Sequence, residues 1–158
     1  MTSIISKIRS FLQPTLKYKL NHPDAKPPTR GSEMASGLDL YTVEDVFVGN
    51  GETVLIKTGV SFIIPYGYEV QIRPRSGVSL KTPLTVKNSP ATIDQDYTGD
   101  VGIIVHNNFS EKGSVYKIEK GTKIAQAVLC PVAIPNLKKS DVTRKTKRGD
   151  NGYGSTGT

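Results

Sequence analysis

Thr53-Val54-Leu55-Ile56-Lys57-Thr58-Gly59-Val60-Ser61-Phe62-Ile63-Ile64, closed by Pro65, is the stretch on which the architecture turns. It is dense in Val, Ile, Thr and Phe, residues that fit a pleated, half-buried surface, and Gly59 breaks it in the middle. Reading outward, Glu69-Val70-Gln71-Ile72-Arg73 alternates with period two. Val101, Ile103 and Val105 alternate, as do Val115 and Lys117, and Ile124 to Leu129 forms another β-like run stopped by Pro131. Turn signals separate these runs at Gly49-Asn50-Gly51, Pro65-Tyr66-Gly67, Thr98-Gly99-Asp100, Lys112-Gly113 and Lys120-Gly121. Short strands at near-regular spacing, with no long helical pattern in competition, predict an all-β domain of barrel or jelly-roll-like form.

The ends read differently. In residues 2–12, Ile4, Ile5, Ile8, Phe11 and Leu12 recur at helical spacing before Pro14, which predicts a short amphipathic helix. The stretch is basic and free of acids, so it also has the look of an organelle transit segment, although an appendage is the simpler reading. From Lys138 periodicity vanishes, and residues 149–158 are mostly Gly, Ser, Thr and Asn, which predicts a flexible arm. The expected organisation is an appendage over 1–16, a β domain over 17–137 and a basic, glycine-rich arm over 138–158.

Composition bounds the function. The 158 residues and 17.1 kDa suit one domain, and 36% hydrophobic residues allow only a modest core, so burial between subunits is expected. Cys130 is the one cysteine, which excludes an intrachain disulfide. With no secretory pattern, an intracellular, cytoplasmic setting is expected. No apolar run approaches the ~18 residues a membrane span needs. The net charge of +7 sits at the ends: residues 24–137 hold eleven basic and twelve acidic residues. A duplex-binding domain would show a basic stripe across its body, so no stable nucleic-acid or membrane partner is expected.

Five short stretches have residue types that can carry chemistry. Asn88-Ser89-Pro90-Ala91-Thr92-Ile93-Asp94-Gln95-Asp96-Tyr97 predicts a hairpin whose carboxylates can orient water and whose tyrosine can pack on a sugar; plain turn chemistry would use the same residues. Arg73-Pro74-Arg75-Ser76-Gly77 offers a planar fork, a hydroxyl and close backbone approach for phosphate oxygens, or simply a charged strand end. Arg148-Gly149-Asp150-Asn151-Gly152-Tyr153-Gly154-Ser155-Thr156-Gly157 is not a P-loop, and its aromatic can stack on a base. Ala35-Ser36-Gly37-Leu38-Asp39-Leu40 and Gly121-Thr122-Lys123-Ile124-Ala125-Gln126 are individually weak and read equally as strand entries.

As a set, in this order and spacing, the five stretches resemble the five motifs of the trimeric dUTPase family, from about Lys17 to Thr158. The resemblance implies a jelly-roll-like β-barrel, a homotrimer with active sites shared between subunits, dUTP as substrate and Mg²⁺ as cofactor. It implies that Asp94 activates and orients the water that attacks the α-phosphorus. Asn88 and the backbone at Thr92 and Ile93 would bond uracil, and Tyr97 would pack on deoxyribose and exclude a 2′-hydroxyl. Arg75, Ser76, Gly77 and Gln126 would hold the phosphates. Arg148, Ser155 and Thr156 would close over the γ-phosphate with Tyr153 over the base, and Asp39 would meet magnesium through water.

Elementary chemistry agrees with that division. A triphosphate's negative charge must be offset by Mg²⁺ and arginines as charge moves to the leaving pyrophosphate. Mg²⁺ prefers phosphate oxygens and retained waters, so no carboxylate cage is expected. Four positions depart from the family's common residues: Ala91 and Asn151 for Gly, Lys123 for Arg, and Tyr153 for Phe. Lys123 replaces a fork with a point charge. His106, His22 and Cys130 get structural readings, the last as a buried strand residue. Two rival functions are a dCTP deaminase of the same fold, whose carboxylate-bearing motif is not evident, and a nucleotide-modulated regulatory protein. The regulatory members carry an insert that the span Val101 to Lys120 is too short to hold.

Overall fold

Gly59 takes φ +63°, and this left-handed residue divides the quoted run into two strands that belong to different sheets. Thr53–Lys57 (β5) lies beside Gly102–Asn107 (β10), which also pairs with Leu84–Val86 (β8). Val60–Ile63 (β6) pairs instead with Lys17–Leu20 (β1), in register Lys17↔Ile63 to Leu20↔Val60. In this computed structural model the described residues are 13–109, 111–141, 145–147 and 149–151. The helix expected over residues 2–12 lies outside them, as do Arg148, Tyr153, Ser155 and Thr156.

Two further sheets complete the described residues. Val46–Gly49 (β4) pairs with Val115–Ile118 (β11). The largest sheet runs Thr29–Arg30 (β2), Leu38–Tyr41 (β3), Lys123–Pro131 (β12), Tyr68–Pro74 (β7) and Ala91–Ile93 (β9), with antiparallel neighbours throughout. The fold is all-β, and the described residues contain one short helix, Ser76–Lys81 (α1).

Alternation decides which side of β10 and β7 is buried. In β10, Ile103, Val105 and Asn107 point inward while Ile104 and His106 alternate outward. In β7 the core takes Val70 and Ile72, and in β12 it takes Ala125 and Ala127. Each fully buried Val, Leu or Ile contributes about 1.5–3 kcal/mol over its exposed state. Asn107 is fully buried yet satisfied: its Nδ2 donates to the Val48 carbonyl at 2.8 Å, and its Oδ1 accepts from the Phe109 amide at 2.9 Å.

Four of the five expected turns carry a positive-φ glycine, at Gly51, Gly67, Gly113 and Gly121. The expected hairpin over 88–97 takes another form. β9 does not pair with β8; it pairs with β7, Val70↔Ile93 and Ile72↔Ala91. The reason is register: Ala91 is buried in the core, which binds that segment to the large sheet. Cys130 lies on β12 as expected, but only half-buried, with Arg73 Nη2 3.4 Å from its sulfur.

Candidate active site in two halves

The first half forms where β9 ends. A cavity of about 250 Å³ is lined by Thr92, Ile93, Asp94 and Tyr97, with Leu55, Gly102 and Ile104 from the neighbouring sheet. Asp94 is exposed at this cavity, with its carboxylate outside the core. Tyr97 is held by its own turn: its amide donates to the Asp94 carbonyl at 3.1 Å, and its hydroxyl donates to the Asp100 carbonyl at 3.0 Å. A Cβ at Gly99 would come within 2.6 Å of that hydroxyl, so the turn needs glycine there. Asn21 Nδ2 donates to Ser61 Oγ at 3.0 Å and to the Asp100 carboxylate, tying the turn to β1 and β6. Asn88 is exposed in the turn before β9.

Leu55, Gly102 and Ile104 belong to no motif in the sequence, and Gly99 and Asp100 read there only as a turn. Leu55 faces outward between Thr53 and Lys57 and is 63% exposed, but a single exposed apolar residue is ordinary on a protein surface and carries no signal in the sequence.

The second half sits on the outer face of the large sheet. Asp39 of β3 lies opposite Gln126 of β12, which lies opposite Arg73 of β7. Pro74 ends β7, and Arg75 then turns its guanidinium onto Asp39, Nε donating to Oδ1 at 2.7 Å. Arg75 Nη1 donates to the Lys123 carbonyl at 3.3 Å, and Lys123 Nζ meets Asp39 Oδ2 at 2.9 Å. Burial pushes the Asp39 carboxyl up, but the bonds from Lys123 and Arg75 outweigh it and hold it below the ordinary carboxylate range. The same pairing with Asp39 raises Lys123. Gln126 Nε2 donates to the Pro74 carbonyl at 2.9 Å, which fixes the backbone entering Arg75. Ser76 and Gly77 follow, exposed, at the start of α1.

These halves are not adjacent in one chain. Ile93 opposes Val70, and Arg75 lies five residues further along the same strand line. At 3.3 Å per residue that places Asp94 and Arg75 roughly 20 Å apart. Asp39 fits no directly bound metal, because both its oxygens already accept from cations. No group of three or more His, Cys, Asp or Glu able to hold a metal occurs among the described residues. The arrangement does fit a metal that arrives on phosphate oxygens with its waters.

The all-β frame thus carries a small cavity beside one carboxylate and, apart from it, a group of cations anchored on a second, an arrangement that presents positive charge to an anionic ligand. The dUTPase family model matches residues 24–157, and the chain belongs to the dUTPase family. It is 44% identical over 143 residues to the deoxyuridine 5'-triphosphate nucleotidohydrolase of Clostridium tetani, covering 90% of this chain and 97% of that one. The corresponding protein of a Hydrogenobaculum species is 47% identical over 135 residues, covering 85% and 92%. Among solved structures, the dUTPase of Staphylococcus bacteriophage 80alpha with dUPNHPP superposes with a TM-score of 0.82 at 32% identity, covering 91% of this chain and 99% of that one. A mutant dUTPase of phage phi11 of S. aureus, described as revealing the coordination of a structural Mg(II) ion, gives 0.75 at 30% identity, covering 81% and 97%.

Proposed function

We propose that this chain hydrolyses dUTP to dUMP and pyrophosphate by attack of water on the α-phosphorus, and that it does so as a homotrimer of jelly-roll-like barrels. The observation that carries the reading is the pairing of Asp94 with Tyr97 at one cavity. Tyr97 presents a ring that is 45% exposed, fixed at both its amide and its hydroxyl. A ring held this way packs on a deoxyribose face and leaves no room for a 2′-hydroxyl. Thr92 and Ile93 offer their backbone to the uracil edge beside Asn88. A wrong base then leaves buried polar groups unpaired, which is the strong form of discrimination.

Asp94 accepts a proton from the water and points it at phosphorus. A general base must lie within ≈ 2.6–3.2 Å of the proton it takes, directly or through one water. The cations on Asp39 must meet the same phosphate chain. Within one chain the two halves are roughly 20 Å apart by strand geometry, too far to serve one phosphorus. A second copy therefore supplies the Asp39–Arg75–Gln126 half, which supports a trimer with shared sites. Mg²⁺ would supply charge neutralisation there when it accompanies the nucleotide, with Arg75 and Lys123 as the protein's own cations beside it. Arg75 retains Nη2, which bonds no described residue, for a phosphate oxygen. In the same reading Arg148, Ser155 and Thr156 close over the γ-phosphate, with Tyr153 over the base.

Pyrophosphate release from dUTP, dCTP, dTTP and UTP tests the proposal. Release from dUTP in large excess over the others is expected. Equal release from dTTP or UTP, or ammonia from dCTP, would replace the reading.

A further inference from the structure

The phosphate half holds one cation more than its motifs account for. Lys26 lies in the loop between β1 and β2, exposed, with Nζ 5.4 Å from the centre of the Tyr41 ring. Lys123 Nζ lies 5.8 Å from the same centre. Tyr41 is two residues beyond Asp39 on β3, so both side chains leave the same face of the sheet. The ring is tethered, its hydroxyl sharing a 2.5 Å hydrogen bond with Thr29 Oγ1. On its other flank Lys26 meets the turn before β12, where a Cβ at Gly121 would come within 2.7 Å of Nζ. Lys26 is thus placed by two independent elements.

Its charge has no taker. Asp24, the nearest acid in sequence, binds Lys120 at 2.6 Å. Among the described residues Lys26 joins no ion pair. Asp39 is the acid that pairs with both Arg75 and Lys123, while Lys26 shares the Tyr41 ring with Lys123 and pairs with no acid among the described residues, so the cations of this patch outnumber the acid that binds them. Arg75 and Lys123 are both bonded to Asp39, so Lys26 is the cation whose charge is uncommitted. A cation–π contact stabilises an exposed amine by only about 0.5–1 kcal/mol, and it places the charge without neutralising it.

We propose that Lys26 is a polyphosphate-binding residue, held by Tyr41 to meet the terminal phosphates of the nucleotide and the pyrophosphate product. The inference rests on the hydrolase reading above. Its test uses the full chain with Lys26→Ala, Lys26→Met, which keeps the aliphatic stem against Gly121 and Tyr41, and Lys26→Arg. Steady-state hydrolysis of dUTP and calorimetric binding of inorganic pyrophosphate are measured at several salt concentrations. For Ala and Met we expect the KM for dUTP and the Kd for pyrophosphate to rise about tenfold, the loss of one charge-assisted contact. The salt dependence of both should flatten, kcat should hold within about twofold, and Arg should restore binding. A Lys26 that only braces Tyr41 would lower the unfolding temperature and leave KM, Kd and salt dependence unmoved; that result overturns the proposal. If the wild type does not hydrolyse dUTP, the hydrolase reading fails by itself. Pyrophosphate binding then still decides Lys26: weakening in Ala and Met supports it, and no weakening, or no binding by the wild type, overturns it.

Discussion

Asp94 and Asp39 are both carboxylates of the candidate site, and their surroundings differ. Asp94 stands exposed beside Tyr97, with no cation on it among the described ion pairs, which leaves its oxygens for a water. Asp94→Asn keeps the shape and removes the proton acceptor. Single-turnover hydrolysis should fall by about 10²–10⁴-fold while a non-hydrolysable dUTP analogue still binds. Near-normal turnover would remove Asp94 from the role. Asp39 is buried under two cations and titrates below its ordinary range, so its folded value lies under its unfolded one. The stability it contributes is present in full above about pH 4 and is lost as pH falls through the folded value. Thermal unfolding against pH should therefore show a shallower acid limb in Asp39→Asn than in the wild type. Part of the slope will remain, because Asp24 and Asp45 are lowered too, chiefly by bonds to Lys120. An unchanged limb would show that the Arg75 and Lys123 contacts do not persist in solution.

Strands are legible in the sequence wherever one face is buried and the other wet, as in β10 and β7. What periodicity does not contain is partnership. The segment 53–64 reads as β-like throughout, but nothing local says that its halves join different sheets at Gly59, or that β1 returns to β6 from some forty residues away. The six residues of α1 bury none of their side chains, so they leave no amphipathic stripe to read. The motif residues were visible by type, whereas the cavity wall from Leu55, Gly102 and Ile104 exists only after two sheets meet. Gly37 shows how a strand entry becomes part of a site. A Cβ there would overlap Gln126 Oε1, and Gln126 is the residue that fixes the Pro74 carbonyl before Arg75. Gly37→Ala should displace that side chain and loosen Arg75. We expect a loss of about 1–3 kcal/mol in denaturant unfolding, as for other overpacked positions. A KM for dUTP raised several-fold should accompany it, and wild-type values in both would show that Gln126 swings clear without consequence.

The separation of the two halves along β7 bears on the proposed assembly, and it yields a test by complementation. If one site takes Asp94 from one copy and Arg75 from another, two inactive variants can repair each other. Asp94→Asn chains still carry Arg75, and Arg75→Ala chains still carry Asp94. Mixed at equal ratio through unfolding and refolding, random assembly pairs an intact Asp94 with an intact Arg75 in about a quarter of the sites of a closed ring. Activity near a quarter of the wild type should then appear in a mixture whose separate components are dead. Sedimentation should place the active species near three times 17.1 kDa. If each site were built within one chain, every site in the mixture would lack one group, and refolding together would restore nothing. A monomer with full activity would equally rule out a shared site, because the roughly 20 Å between the halves would then have to close within a single copy.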